Sequence, residues 1–140
     1  MSTITETKET NMTSALDIKQ VLLVDDDQNI RTLAQMGLEG LTDWKVELAA
    51  SGAEAIRKAS ELKPDLIILD VMMPGMDGPT TLGELRKVDS LTDIPVIFMT
   101  AKAQTHELEL YQRMGAKGII TKPFDPMTLP DDIQGILNKS

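Results

Sequence analysis

From Gln20 onward, two hydrophobic periods take turns along the chain. Short apolar runs stand at "VLLV" (21–24), "KVELA" (45–49), "DLIILD" (65–70), "IPVIFMT" (94–100) and "GIIT" (118–121). They are Leu-rich or β-branched and of strand length. All but one lack polar–apolar alternation, as parallel strands covered on both faces do. "KVELA" alternates, which places it near a sheet edge.

Between these runs apolar residues recur at the spacing of a helix face. Ile30, Leu33, Ala34, Leu38 and Leu41 predict a first helix from about Gln28 to Gly40, with Gly40 as its C-terminal stop. Ile56, Ala59 and Leu62 predict a second, opened by "SGAEA" and closed before Pro64. Leu82, Leu85 and Val88 predict a third, with Pro79 in its first turn, where a missing N–H is harmless. Leu108, Tyr111 and Met114 mark a fourth that ends at Gly115, and Leu129, Ile133, Ile136 and Leu137 a fifth that starts around Pro130. Regular β–α alternation implies an α/β fold with a parallel sheet, right-handed crossovers and helices on both faces. Five such units are too few for an eight-fold barrel. An open, doubly wound sheet is the expected architecture, and its site belongs beyond the carboxyl ends of the strands.

Composition narrows the function. The 140 residues suit one domain with a real core, 41% apolar and 26% charged. The net charge of −8 leaves no basic surface to displace counterions from nucleic acid, so a protein partner or a small cation fits better. Without cysteine there is neither a disulfide framework nor a thiolate metal site. No apolar run approaches the roughly 18 residues of a membrane span. Residues 1–18 lack the layout of a secretory signal and read as a polar, flexible tail, leaving 19–140 as the folded domain and the cytoplasm as the expected location.

The strand ends carry the chemistry. Three like charges, Asp25, Asp26 and Asp27, follow directly on an apolar strand, where repulsion is costly unless a cation offsets it. The third strand ends at Asp70, the fourth at Thr100-Ala101 and the fifth at Lys122-Pro123, so all these groups share one edge of the sheet. Carboxylates suit a hard divalent cation such as Mg²⁺. An ammonium and a hydroxyl beside them make an apparatus for a phosphoryl group. No Gly-rich phosphate loop is present, so a nucleotide is not expected. The phosphoryl group is then small or covalently carried, and Asp70, followed by the "VMMPGMDG" turn, is an available acceptor.

The segments "VDDD", "LIILDVMMPGMDG", "MTA" and "TKPF" together resemble the receiver domain of bacterial two-component response regulators, a resemblance that spans residues 20–138. It implies a flavodoxin-like sheet of order 2-1-3-4-5. It implies that Asp70 accepts a phosphoryl group from a sensor histidine kinase or a histidine phosphotransfer protein. Asp26, Asp70 and the backbone carbonyl of Met72 are then the Mg²⁺ ligands, with Asp25 acting through a metal-bound water. Thr100, with Ala101 beside it, and Lys122 become the phosphate-binding switch positions, and Lys122–Pro123 a cis peptide. The sequence departs from the family's pattern at Ile119, where many receivers carry an aromatic residue, so the output shift is expected through the backbone after Thr100 or through repacking of Ile119. Met72 and Lys102 occupy positions that flank the path of attacking water in this family.

Other residues have plainer readings. His106, the only histidine, reads as an exposed residue near the start of the fourth helix. Met36, Met99 and Met114 read as core fillers, Trp44 as a loop anchor, and Asp77-Gly78 as the residues that open the third helix. The resulting expectation is a free-standing, phosphorylation-controlled switch of protein–protein affinity, because the chain stops where the fifth helix ends. Its output face would be helix four, strand five and helix five, and its donor would dock on residues 27–38 and 122–127. Three alternatives remain: a phosphate shuttle, a receiver module of a hybrid kinase, and a Mg²⁺-dependent phosphatase resembling haloacid dehalogenases. The last lacks an acid two residues after its nucleophile, where Met72 stands.

Overall fold

The computed structural model describes residues 18–102 and 104–139. Strands β1 (Gln20–Val24), β2 (Lys45–Ala49), β3 (Leu66–Asp70), β4 (Val96–Thr100) and β5 (Gly118–Thr121) alternate with helices α1 (Gln28–Leu41), α2 (Gly52–Leu62), α3 (Gly78–Leu85), α4 (Thr105–Arg113) and α5 (Leu129–Asn138). A short 3₁₀ turn at Asp89–Leu91 precedes β4. The strands form one five-stranded parallel sheet in the order β2-β1-β3-β4-β5. The order reverses at β1 and β3, whose carboxyl ends therefore open a crevice that no crossover covers.

Successive strand residues point to opposite faces, and each face has its own core. Leu23, Ile68 and Ile97 pack with Leu38 of α1 and Ile133 of α5. Leu22, Ile67 and Phe98 pack on the other face with Ala59 of α2, Leu82 of α3 and Tyr111 of α4. Every residue of β3 and β4 is buried, which explains their unbroken apolar runs. β2 lies at an edge with Lys45 and Glu47 outward, as its alternation requires. The Phe98 and Tyr111 rings meet edge to face at 4.9 Å.

Several details depart from the sequence reading. Gly40 lies inside α1, which runs to Leu41 and ends on Thr42, whose N–H and hydroxyl both bond to Leu38 O. Leu33, Leu41 and Met36 are 45%, 48% and 65% exposed, so they are not core residues. Only Ala34, Gly37 and Leu38 of α1 are fully covered, because the helix approaches its neighbours along a narrow stripe. Val88 lies beyond the end of α3 at Leu85, held by the turn that follows. Ile18, read as tail, is buried and packs in the core beneath α1. The rest of the expected tail, residues 1–17, lies outside the described residues. His106 is exposed at the start of α4 and Trp44 is buried beside β2, both as read. No helix among the described residues is long and apolar enough to cross a membrane.

Candidate functional site

The run of three aspartates resolves into three different jobs. Asp25 continues the ladder of β1 by donating its N–H to Ala49 O at 3.1 Å, and is fully buried. Asp27 turns the chain: its carboxylate accepts from the N–H groups of Asn29 (2.8 Å) and Ile30 (3.4 Å), capping α1. Asp26 lies between them, exposed at the mouth of the crevice. The turn is tied further by Asp25 Oδ1, which accepts the N–H of Asp27 at 2.9 Å.

Asp70 stands at the end of central strand β3, only 2% exposed. Its Oδ1 accepts the N–H of Met72 at 3.3 Å. The loop behind it is pinned by Gly78, whose N–H donates to Val71 O at 2.8 Å. A Cβ on Gly78 would lie 2.5 Å from the Asp70 carbonyl oxygen, so a glycine is required for α3 to start this close to the strand. Asp77 caps α3 through the N–H of Thr80 at 2.8 Å, as its place in the sequence suggests.

The carboxylates of Asp25, Asp26 and Asp70 come together, with one oxygen of each within 4.8 Å of the others. From β5, Lys122 reaches in until its ammonium lies 2.7 Å from Asp25 Oδ2 and 3.1 Å from Asp70 Oδ1. Its backbone N–H donates to Thr100 O at 2.8 Å, tying the end of β5 to the end of β4, and the Lys122–Pro123 bond is cis. Thr100 is buried with its hydroxyl accepting the N–H of Lys102 at 3.1 Å. Ala101 and the Met72 side chain are exposed at the rim, and Ile119 packs half-buried against the α2–α4 core.

The electrostatics follow from this crowding. Burial pushes the Asp70 carboxyl up from 3.8 to about 6, the charge of Asp25 pushes the same way, and Lys122 and the Met72 N–H only partly offset them. Burial works against the Lys122 ammonium, yet Asp25 and Asp70 outweigh it and hold its pKa above the usual lysine value. Lys122 thus stays charged while being divided between two acids. Asp25 Oδ2 is fully buried, and its short ion pair with Lys122 is its one close polar contact among the described residues. Three carboxylates against one ammonium leave two negative charges when all are ionised. That donor set fits a divalent cation bound through oxygen.

One contributor escaped sequence reasoning. Arg31, on the second turn of α1, folds back and donates from Nη1 to Asp25 O at 2.7 Å, orienting the peptide that links Asp25 to Asp26. An arginine one turn beyond a capping aspartate, next to an acidic run, was the available signal.

With this geometry in hand, the comparisons with known proteins agree on one family. Residues 21–134 match the model of the response regulator receiver domain. The alkaline phosphatase synthesis transcriptional regulatory protein PhoP of Bacillus subtilis is 38% identical over 122 residues, covering 87% of this chain and 50% of that protein. Response regulator Rre1 of Synechocystis is 37% identical over 117 residues, covering 84% of this chain and 51% of that protein. The chain spans about half the length of these curated relatives. Among solved structures, chemotaxis protein CheY4 of Vibrio cholerae superposes with a TM-score of 0.79 at 33% identity, covering 85% of this chain and 98% of that one.

Proposed function

This chain belongs to the response regulator receiver domain family, and we propose that it works there as a phosphorylation-controlled switch with Asp70 as the acceptor. A histidine-bearing donor, either a sensor kinase or a phosphotransfer protein, presents its phosphoryl group at the crevice above β1 and β3. An Asp70 oxygen attacks phosphorus, the P–N bond breaks, and the imidazole leaves with the bonding pair. Mg²⁺, held by Asp26, Asp70 and the Met72 carbonyl with Asp25 acting through water, would balance charge on the phosphoryl oxygens.

The chain's own residues do the rest. The observation that carries the reading is the Lys122 ammonium shared between Asp25 and Asp70, because it neither surrenders its charge nor satisfies both acids. Once Asp70 is phosphorylated, the same ammonium pairs with a phosphoryl oxygen. The Thr100 hydroxyl then turns from accepting the Lys102 N–H to donating to another oxygen. That movement breaks the present tie after β4 and repositions Ala101 and Ile119. Reversing a two-state population from 1:99 takes about 5.5 kcal/mol, a scale that several charge-assisted contacts reach. The donor docks on residues 27–38 and 122–127, where Leu33, Met36 and Met127 present exposed apolar surface. The readout is a change of affinity across α4, β5 and α5, with onward transfer to another histidine as the shuttle variant. Asp70 is itself the group modified, so the chain cycles between states rather than turning over a separate substrate.

Incubation with Mg²⁺ and acetyl phosphate, followed by intact-mass measurement, tests this. One added phosphoryl group is expected, absent in Asp70→Asn and absent with a chelator. An adduct that persists in Asp70→Asn, or none in the unaltered protein, would refute it.

A further inference from the structure

The two outer edges of the sheet are built differently. Along β2 and the residue that follows it, side chains occupy most of the outward backbone groups. Val46 donates its N–H to Glu39 Oε2 at 3.0 Å and accepts at its carbonyl from Gln35 Nε2 at 3.2 Å. Leu48 O accepts from Lys58 Nζ at 2.6 Å, and Ala50 donates its N–H to Glu54 Oε1 at 2.7 Å. No further strand can pair there without breaking those bonds. Such occupied edges are how sheets avoid unwanted pairing.

β5 has no such protection. Ile120 is in register with Met99, and Lys122 gives its N–H to Thr100 O. The two-residue period therefore turns the N–H and C=O of Ile119 and Thr121 away from β4. Among the described residues no side chain hydrogen-bonds to either backbone. Beside this edge runs an open groove of about 510 Å³ between β5 and α5. Ile119, Phe124 and Ile136 give it an apolar wall, and Asp125, Asp131 and Asp132 charge its upper end. Among the described residues Lys139 is its only basic lining residue, at the opposite end of α5.

We propose that the open edge of β5 receives an extended, basic segment of a partner protein, added antiparallel as a sixth strand. Only an extended backbone presents donors and acceptors at the spacing of Ile119 and Thr121, and antiparallel pairing is slightly the more stable per residue. Running antiparallel to β5, the segment passes the three acids first, which places lysines or arginines in its leading half on the α5 side of the sheet and branched apolar residues against Ile119 on the opposite face. A second copy of this chain is the weaker candidate, because each brings a net charge of −8 to the contact. The edge is present with Asp70 unmodified, so this inference does not depend on the phosphorylation reading.

The test uses the ¹⁵N-labelled protein without phosphodonor. The probe is an acetylated, amidated octapeptide in which valine alternates with lysine in the first half and with threonine in the second. Expected are amide shifts confined to β5 and α5, hydrogen exchange at Ile119 and Thr121 slowed by about tenfold, and binding that weakens as salt is added. A peptide N-methylated on its pairing face should not bind. Asp131→Asn with Asp132→Asn should weaken binding about threefold or more while phosphoryl uptake from acetyl phosphate is retained. Shifts on another face, or equal binding by the N-methylated peptide, would overturn the proposal. So would a dimer in sedimentation that the probe does not dissociate. Loss of phosphoryl uptake with intact peptide binding would instead count only against the switch.

Discussion

Asp70 is held at a cost, and removing its charge should stabilise the metal-free fold. Burial and the neighbouring Asp25 lift its carboxyl from 3.8 to about 6. The folded state therefore favours the protonated acid. The associated stability is fully present below about pH 4, declines as pH rises toward 6, and is gone above it. A tenfold change in proton affinity corresponds to about 1.4 kcal/mol, so ionised Asp70 costs the metal-free protein about 3 kcal/mol at neutral pH. Asp70→Asn keeps the shape and cannot ionise. In a chelator at pH 7.5 the variant should unfold at a higher urea concentration, with stability raised by about 2–3 kcal/mol and a melting temperature higher by roughly 10 °C. The gap should close as pH falls to about 4, where the unaltered protein is also neutral at this position. Adding Mg²⁺ should narrow it from the other side by binding the ionised site. A variant less stable than the parent at pH 7.5, or a gap that stays constant from pH 4 to 8, would refute the claim that crowded charge strains this strand end.

Further outcomes can be checked with the same unfolding assay. Lys122→Met removes the ammonium that Asp25 and Asp70 share and should cost about 3 kcal/mol at pH 8, less at pH 5 where Asp70 is protonated. Asp27→Ala leaves the N–H groups of Asn29 and Ile30 uncapped and should cost about 1 kcal/mol, read from the urea midpoint. Gly37→Ala would place a Cβ 2.4 Å from the Pro126 carbonyl oxygen; separating α1 from the loop before α5 should cost about 1–3 kcal/mol. For output, Ile119→Ala should change partner affinity less than Thr100→Ala, measured by titration calorimetry on phosphorylated protein. The reverse order would count against a route through the backbone after Thr100.

Much of this protein was legible in one dimension. The unbroken apolar runs of β3 and β4 and the alternation of "KVELA" follow from burial on two faces or one, which is a local property of each segment. Regular β–α alternation then leaves few topologies, and any of them brings the ends of β1, β3, β4 and β5 to one edge, so Asp25, Asp26, Asp70, Thr100 and Lys122 had to be neighbours. The helix faces were less certain. Leu33 and Leu41 satisfy the helical period yet remain exposed, because the closeness of α1 to its neighbours is decided by Gly37 meeting Pro126, far away in the chain.

Only the folded structure decided how charge is shared. Nothing in the order of residues says that Lys122 divides itself between two acids, that Arg31 holds the Asp25 carbonyl, or that β2 is sealed by side chains while β5 is open. Each of these depends on differences of a few tenths of an ångström in the distances between atoms on different elements. A hydrophobic pattern specifies which face is buried, and it carries no information at that scale.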